Sequence, residues 1–220
     1  MNIGSFLAQT QVEFSVSQFV PLAVGFFGLG VGYLVYGPEE LFKLPGRSRA
    51  VDLTTGLWGI WMPGFLQFLT GVYIWVGLVW FHSFREPTLY MTALAFTAYG
   101  VHWWALGMTR ALGGDPRPNG SMAIAFLMLS ALGIVVFFDA GDAPVGGLFI
   151  GLTAVYVCEF LASIGVRVES GPQGPVRTPT RLGELGERAL GFFHLGTGLW
   201  LMYLVWAATL RATTDIKLPI

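Results

Sequence analysis

The sequence predicts an all-α polytopic membrane protein, a bundle of six transmembrane helices. Three observations predict it. Of 220 residues, 54% are apolar and only 11% charged, about half the charged share of an average soluble domain, too little to cover a soluble surface. Mean hydropathy is +0.64. The apolar residues gather into six stretches close to the roughly 20 residues that cross a hydrocarbon layer, and the gaps hold Gly, Pro or charge.

Residues 1–18 form an N-terminal segment without a basic n-region or small-residue cleavage site, so no leader is expected. The first span runs over about 19–36 and ends at Gly37-Pro38-Glu39-Glu40. The second, 51–81, is unusually long and carries Pro63 with Gly56, Gly59 and Gly64, which predicts an interfacial or broken turn before the helix proper. The third, 90–112, stops at Gly113-Gly114-Asp115-Pro116. The fourth covers 121–138, the fifth 145–166 and the sixth 189–210, within a transmembrane domain of 19–210. Residues 167–188 read as a polar Pro/Gly-rich linker loop and 211–220 as a C-terminal tail.

Charge orients the bundle. Lys43, Arg47, Arg49, Arg110, Arg117, Arg167, Arg177, Arg181 and Arg188 follow spans one, three and five, whereas only Arg85, Arg211 and Lys217 lie on the other side. The positive-inside rule then puts both termini outside the cytoplasm, with the protein in the cell inner or plasma membrane. A net charge of −1 gives no case for nucleic acid. The single cysteine, Cys158, excludes an intrachain disulfide framework, a zinc cluster and an iron–sulfur site; no metal site is expected. Without a nucleotide-binding fingerprint or a nucleophile–base pair, no catalytic residue is assigned and the chain does not read as an enzyme.

Few ionisable residues lie within the spans, and each must face the bundle interior or water. They are His102, Glu159 and His194; no Lys or Arg lies well inside a span, and Arg110 closes the third. Glu159 reads either as a proton acceptor, since a carboxyl in apolar surroundings can titrate near neutral pH, or as a carboxyl reaching toward Arg167. His102 and His194, on different spans, suit either hydrogen bonds between helices or axial ligation of a haem.

Two segments carry a resemblance. Span two contains Gly59-Ile60-Trp61-Met62-Pro63-Gly64-Phe65-Leu66-Gln67-Phe68-Leu69-Thr70-Gly71, and span three Ala95-Phe96-Thr97-Ala98-Tyr99-Gly100-Val101-His102-Trp103. Together they resemble the acetate uptake transporter family, which includes the bacterial succinate–acetate permeases and pairs G-I-x-x-x-G-x-x-Q-x-x-x-G with A-F-x-S-Y-G-x-F-W. The likeness covers all six spans in order, including Pro21 and Leu22 in span one, Gly151-Leu152-Thr153 in span five and Gly191, Gly198 and Tyr203 in span six. Gln18-Phe19-Val20-Pro21-Leu22-Ala23-Val24 stands where that family has N-P-A-P-L-G-L, and His102 stands where it has Phe.

The resemblance implies a six-helix protomer with its own pore, packed as a hexamer with cytoplasmic termini, opposite to the charge count. It implies passage of acetate, related monocarboxylates or succinate, by proton symport or through a channel, with no cofactor. Its pore constriction maps onto Phe27, Tyr99 and Leu152, and its span-two glutamine onto Gln67. On this reading the path of substrate and proton runs past Gln67, Thr97, His102, Thr153 and Glu159, within a frame set by the motif residues Pro21, Leu22, Gly59, Gly64, Gly71, Gly100 and Trp103. A dry constriction penalises a carboxylate by several kcal/mol of lost hydration, so a small weak acid is expected to cross in its neutral form or as an anion closely followed by a proton. Competing expectations are a non-transporting subunit of a larger membrane complex that keeps the fold without the pore, and a haem-bearing anchor.

Overall fold

The computed structural model describes residues 21–171 and 174–218. The N-terminal segment 1–18 and the first two residues of span one lie outside them. Six helices follow: α1 (Leu22–Phe42), α2 (Arg49–Val79), α3 (Thr88–Leu112), α4 (Arg117–Asp139), α5 (Ala143–Ile164) and α6 (Arg181–Thr213), with β1 (Val166–Gly171) pairing antiparallel to β2 (Gly174–Pro179) between the last two. Among the described residues, five helices are long and apolar enough to cross a membrane. The other, α3, has 25 residues, but its threonines, tyrosines, tryptophans and His102 lower its hydropathy.

Helix boundaries follow local chemistry. Ser48 Oγ accepts from Val51 N at the start of α2, Asp142 Oδ1 from Val145 N at the start of α5, and Thr180 Oγ1 from Gly183 N at the start of α6, each satisfying an orphan N–H of a first turn. Gly113, at φ 71, closes α3 in the left-handed conformation. The structure departs most from the sequence expectation at three places. Helix α1 runs through Pro38 to Phe42, so Glu39 and Glu40 lie on its last turn. The expected linker 167–188 contains the strand pair, and α6 begins at Arg181, eight residues before the expected start.

Within α2, Ile60–Phe65 forms a π-turn containing Pro63. Proline lacks the N–H for the helical ladder and its ring crowds the carbonyl four residues back; widening the turn accommodates both. An extra residue in the turn rotates everything after it by about 100°, and Gln67 follows two residues later.

Each helix packs against its chain neighbours, and α6 returns to pack along α1, so the six close into a ring. Small residues permit the close crossings. A Cβ on Gly100 would stand 2.5 Å from Phe68 N and 2.8 Å from Gly64 O, so α2 and α3 touch backbone to backbone there. One on Gly71 would collide with Thr97. Large apolar side chains such as Trp61, Met128, Leu199 and Trp206 stand exposed on the outside, while Tyr33, Tyr99, Trp103, Leu152 and Tyr156 fill the centre.

Candidate functional site

Two cavities enter the ring from opposite ends. The smaller, about 90 Å³, is reached past Leu22, Thr88 and Asp142 and is lined by Phe26, Gln67, Tyr99 and Leu152. The larger, about 390 Å³, opens among Arg47, Gly113 and Pro179 and holds Glu40, His102, Glu159 and His194. Between them lies an aromatic stack. Tyr99, which lines the small cavity, stacks on Tyr156 of the large one with centroids 5.7 Å apart and planes 16° apart, and Phe126 packs against both at 5.5 and 5.3 Å.

The small cavity is apolar apart from a few groups. Gln67 is 1% exposed, and neither its Oε1 nor its Nε2 has a hydrogen-bond partner. An amide left so is costly, about 1–3 kcal/mol, and an unpaired donor and acceptor at the wall of a cavity define what would satisfy them. The one acid among the described lining residues, Asp142, caps α5 through Val145 N. No Lys or Arg lines the cavity. Tyr99 Oη lies 2.9 Å from Ser130 Oγ, which donates to Phe126 O at 2.7 Å; a serine hydroxyl has one proton, so Tyr99 is the donor to Ser130.

The expected constriction is brought together only in part. Tyr99 and Leu152 are buried side by side in the small cavity, but Phe27 is 43% exposed on the outer face of α1 and the adjacent Phe26 lines the cavity instead. One residue of offset on a helix is about 100° of rotation. Gln67 sits beside Tyr99 and Leu152. Thr97 and Thr153 line neither cavity: their hydroxyls donate to Ala93 O at 2.7 Å and to Phe149 O at 2.8 Å on their own helices. Of the motif residues, Pro21 precedes α1, Leu22 lines the small cavity, Trp103 lines the large one, Gly64, Gly71 and Gly100 make helix crossings, and Gly59 faces the Tyr36 hydroxyl.

His102 and Glu159 face the large cavity as a pair, with Nε2 3.8 Å from Oε2. Glu159 therefore meets an imidazole rather than Arg167. A second pair was not legible: His194 Nδ1 lies 2.6 Å from Glu40 Oε2, and its ring stacks on Tyr33 at 4.4 Å. All four side chains are buried. Reading Gly37-Pro38 as a helix end hid Glu40; the available signal was an acid one turn below Tyr36 and a histidine on another span. Ser130, a hydroxyl amid an apolar run, was missed as well.

Ion pairs ring the mouth of the large cavity. The Arg110 guanidinium holds Glu39 Oε1, donates to Asp52 Oδ1 at 3.2 Å and lies 4.9 Å over the Tyr36 ring. Arg47 Nε donates to the same Glu39 oxygen at 3.0 Å, and Lys43 pairs with Glu187 at 2.7 Å. Partial loss of hydration works against the Arg47 charge, though the side chain stays 58% exposed, and Glu187, Glu39 and Asp52 outweigh it and raise its pKa above the ordinary arginine value. Arg110 thus reaches inward from its helix end, so cations and acids share the mouth while the described residues of the interior beyond it supply histidines, carboxyls and phenols. Among the described residues no group of three or more His, Cys, Asp and Glu converges as a metal site.

No family model matches the chain, and no curated protein or solved structure matches it.

Proposed function

We propose that the chain is an integral membrane protein of six spans that passes acetate and similar small carboxylic acids, as a channel or as a proton-coupled transporter. The orphaned amide of Gln67 in the small cavity carries this reading. An amide offers a donor and an acceptor side by side. A protonated carboxyl offers their complements: its O–H donates to Oε1 while its carbonyl accepts from Nε2. A carboxylate has acceptors only, would leave Oε1 facing a lone pair, and finds Asp142 rather than a cation among the lining residues. The wall of Phe26, Leu152 and the Tyr99 ring suits a short alkyl tail and penalises an ion. The resemblance of the span-two and span-three segments to acetate transporters points to the same substrates and to a homo-oligomer, a hexamer in that family.

Labelled acetate flux into liposomes carrying the purified protein tests this. Flux above protein-free vesicles, lowered in Gln67→Leu by loss of two hydrogen bonds (about 2 kcal/mol, roughly thirtyfold), is the expected result. Flux no greater than that of bare lipid, or equal in Gln67→Leu, overturns it.

A further inference from the structure

The large cavity has a chemistry that passage of a neutral acid does not require. Two carboxyl–imidazole pairs, Glu40 with His194 and Glu159 with His102, come from four different helices and face one cavity. Taking an ionisable group out of water costs several kcal/mol, and leaving it without a partner costs most. Here each of two buried acids faces a histidine. The phenols Tyr33, Tyr36 and Tyr156, the cations Arg47 and Arg110, and the carboxylates Asp52 and Glu187 face the same space. From α4, Phe126 packs against His102 with ring centroids 4.9 Å apart, and Asn119 lines the cavity.

We propose that the two pairs form a proton-accepting relay, which takes the proton from an acid that has passed the Tyr99–Tyr156 stack and hands it to water at the Arg47–Arg110 mouth. The inference rests on the reading of the chain as an acid carrier. In the step itself the acid O–H bond breaks and an O–H bond forms on Glu159; the electron pair stays on the departing carboxylate. The proton next moves to His102 Nε2. At 3.8 Å that contact is longer than a direct hydrogen bond, so a bridging water or a small rotation of either side chain completes it. Glu40 and His194, already at hydrogen-bond distance, carry it onward on the mouth side of Tyr33. The carboxylate left behind leaves to water past Arg110 and Arg47, and the direction reverses for an anion entering from the mouth.

The test measures acetate exchange at equal pH on both sides of vesicles of phosphatidylethanolamine and phosphatidylglycerol. Total acetate is adjusted so that the undissociated acid stays constant. Plain passage of neutral acid then gives a rate independent of pH. A relay gives a rate that follows its deprotonated fraction in both directions, so exchange rises about three- to tenfold between about pH 6 and about pH 8, and Glu159→Gln and Glu40→Gln each flatten that rise. A flat profile in the native protein, or an equal rise in both variants, overturns the relay and leaves the carrier reading standing. Exchange equal to that of bare lipid overturns the carrier reading instead. Infrared difference spectra of the reconstituted protein decide the proton site without flux: a carboxyl band that titrates with pH and is lost in Glu159→Gln supports it, and a spectrum without such a band overturns it.

Discussion

His194 Nδ1 and Glu40 Oε2 lie 2.6 Å apart across 154 positions of sequence, joining the last turn of α1 to the second half of the ring. The contact stands beside a close crossing of α1 and α6: a Cβ on Gly191 would come within 2.5 Å of Leu41 N. Helix α1 reaches this far only because it continues past Pro38, so a residue type that ordinarily stops helices here delivers a carboxyl to the interior.

Removing Glu40 alone leaves the His194 imidazole buried without its acceptor. Glu40→Ala is expected to cost about 1–3 kcal/mol, and Glu40→Ala with His194→Phe less than the two single losses combined. Unfolding midpoints in detergent for the single and double variants check this; strict additivity would show the pair to be uncoupled.

Tyr99 and Ser130 predict an asymmetry. Tyr99→Phe removes a donor while Ser130 keeps its bond to Phe126 O, so the cost should stay below about 1 kcal/mol. Ser130→Ala strands the Tyr99 hydroxyl in an apolar stack and should cost about 1–3 kcal/mol. Equal effects on the unfolding midpoint would contradict the donor assignment.

Gln67 stands unpaired inside the bundle, so Gln67→Leu should stabilise the protein by about 1–3 kcal/mol while lowering acid flux. A gain in midpoint together with a loss of flux is the signature of a polar group kept for binding. A loss of stability would mean that the amide is satisfied by something other than a passing molecule.

At the mouth, Arg110 neutralises Glu39, which is 2% exposed. Arg110→Met leaves that carboxylate buried with only Arg47 beside it and is expected to cost about 3–5 kcal/mol; adding Glu39→Leu should restore much of it. Thermal midpoints of the two variants check the order.

Leu152→Ala widens the small cavity next to the stack and should admit longer acids. Flux measured across acetate, propionate and butyrate should shift toward the longer chains, and an unchanged ranking would place size selection elsewhere.

The sequence by itself determined that there are six helices and how polar each is, because hydropathy and turn chemistry are properties of neighbouring residues, but it ended α1 too early and began α6 too late. It marked Gln67, Tyr99, His102, Leu152 and Glu159 as worth attention, and the broken second span as well. Only the tertiary structure decided which side chains meet. Phe26 rather than Phe27 faces the lumen because one step along a helix turns the side chain by about 100°, an angle that the packing of α1 on α6 and α2 selects. Thr97 and Thr153 turned their hydroxyls onto their own helices, donating to the carbonyls of Ala93 and Phe149 one turn back. Glu40 met His194 through the closing of that ring, a contact between chain ends that no local pattern contains.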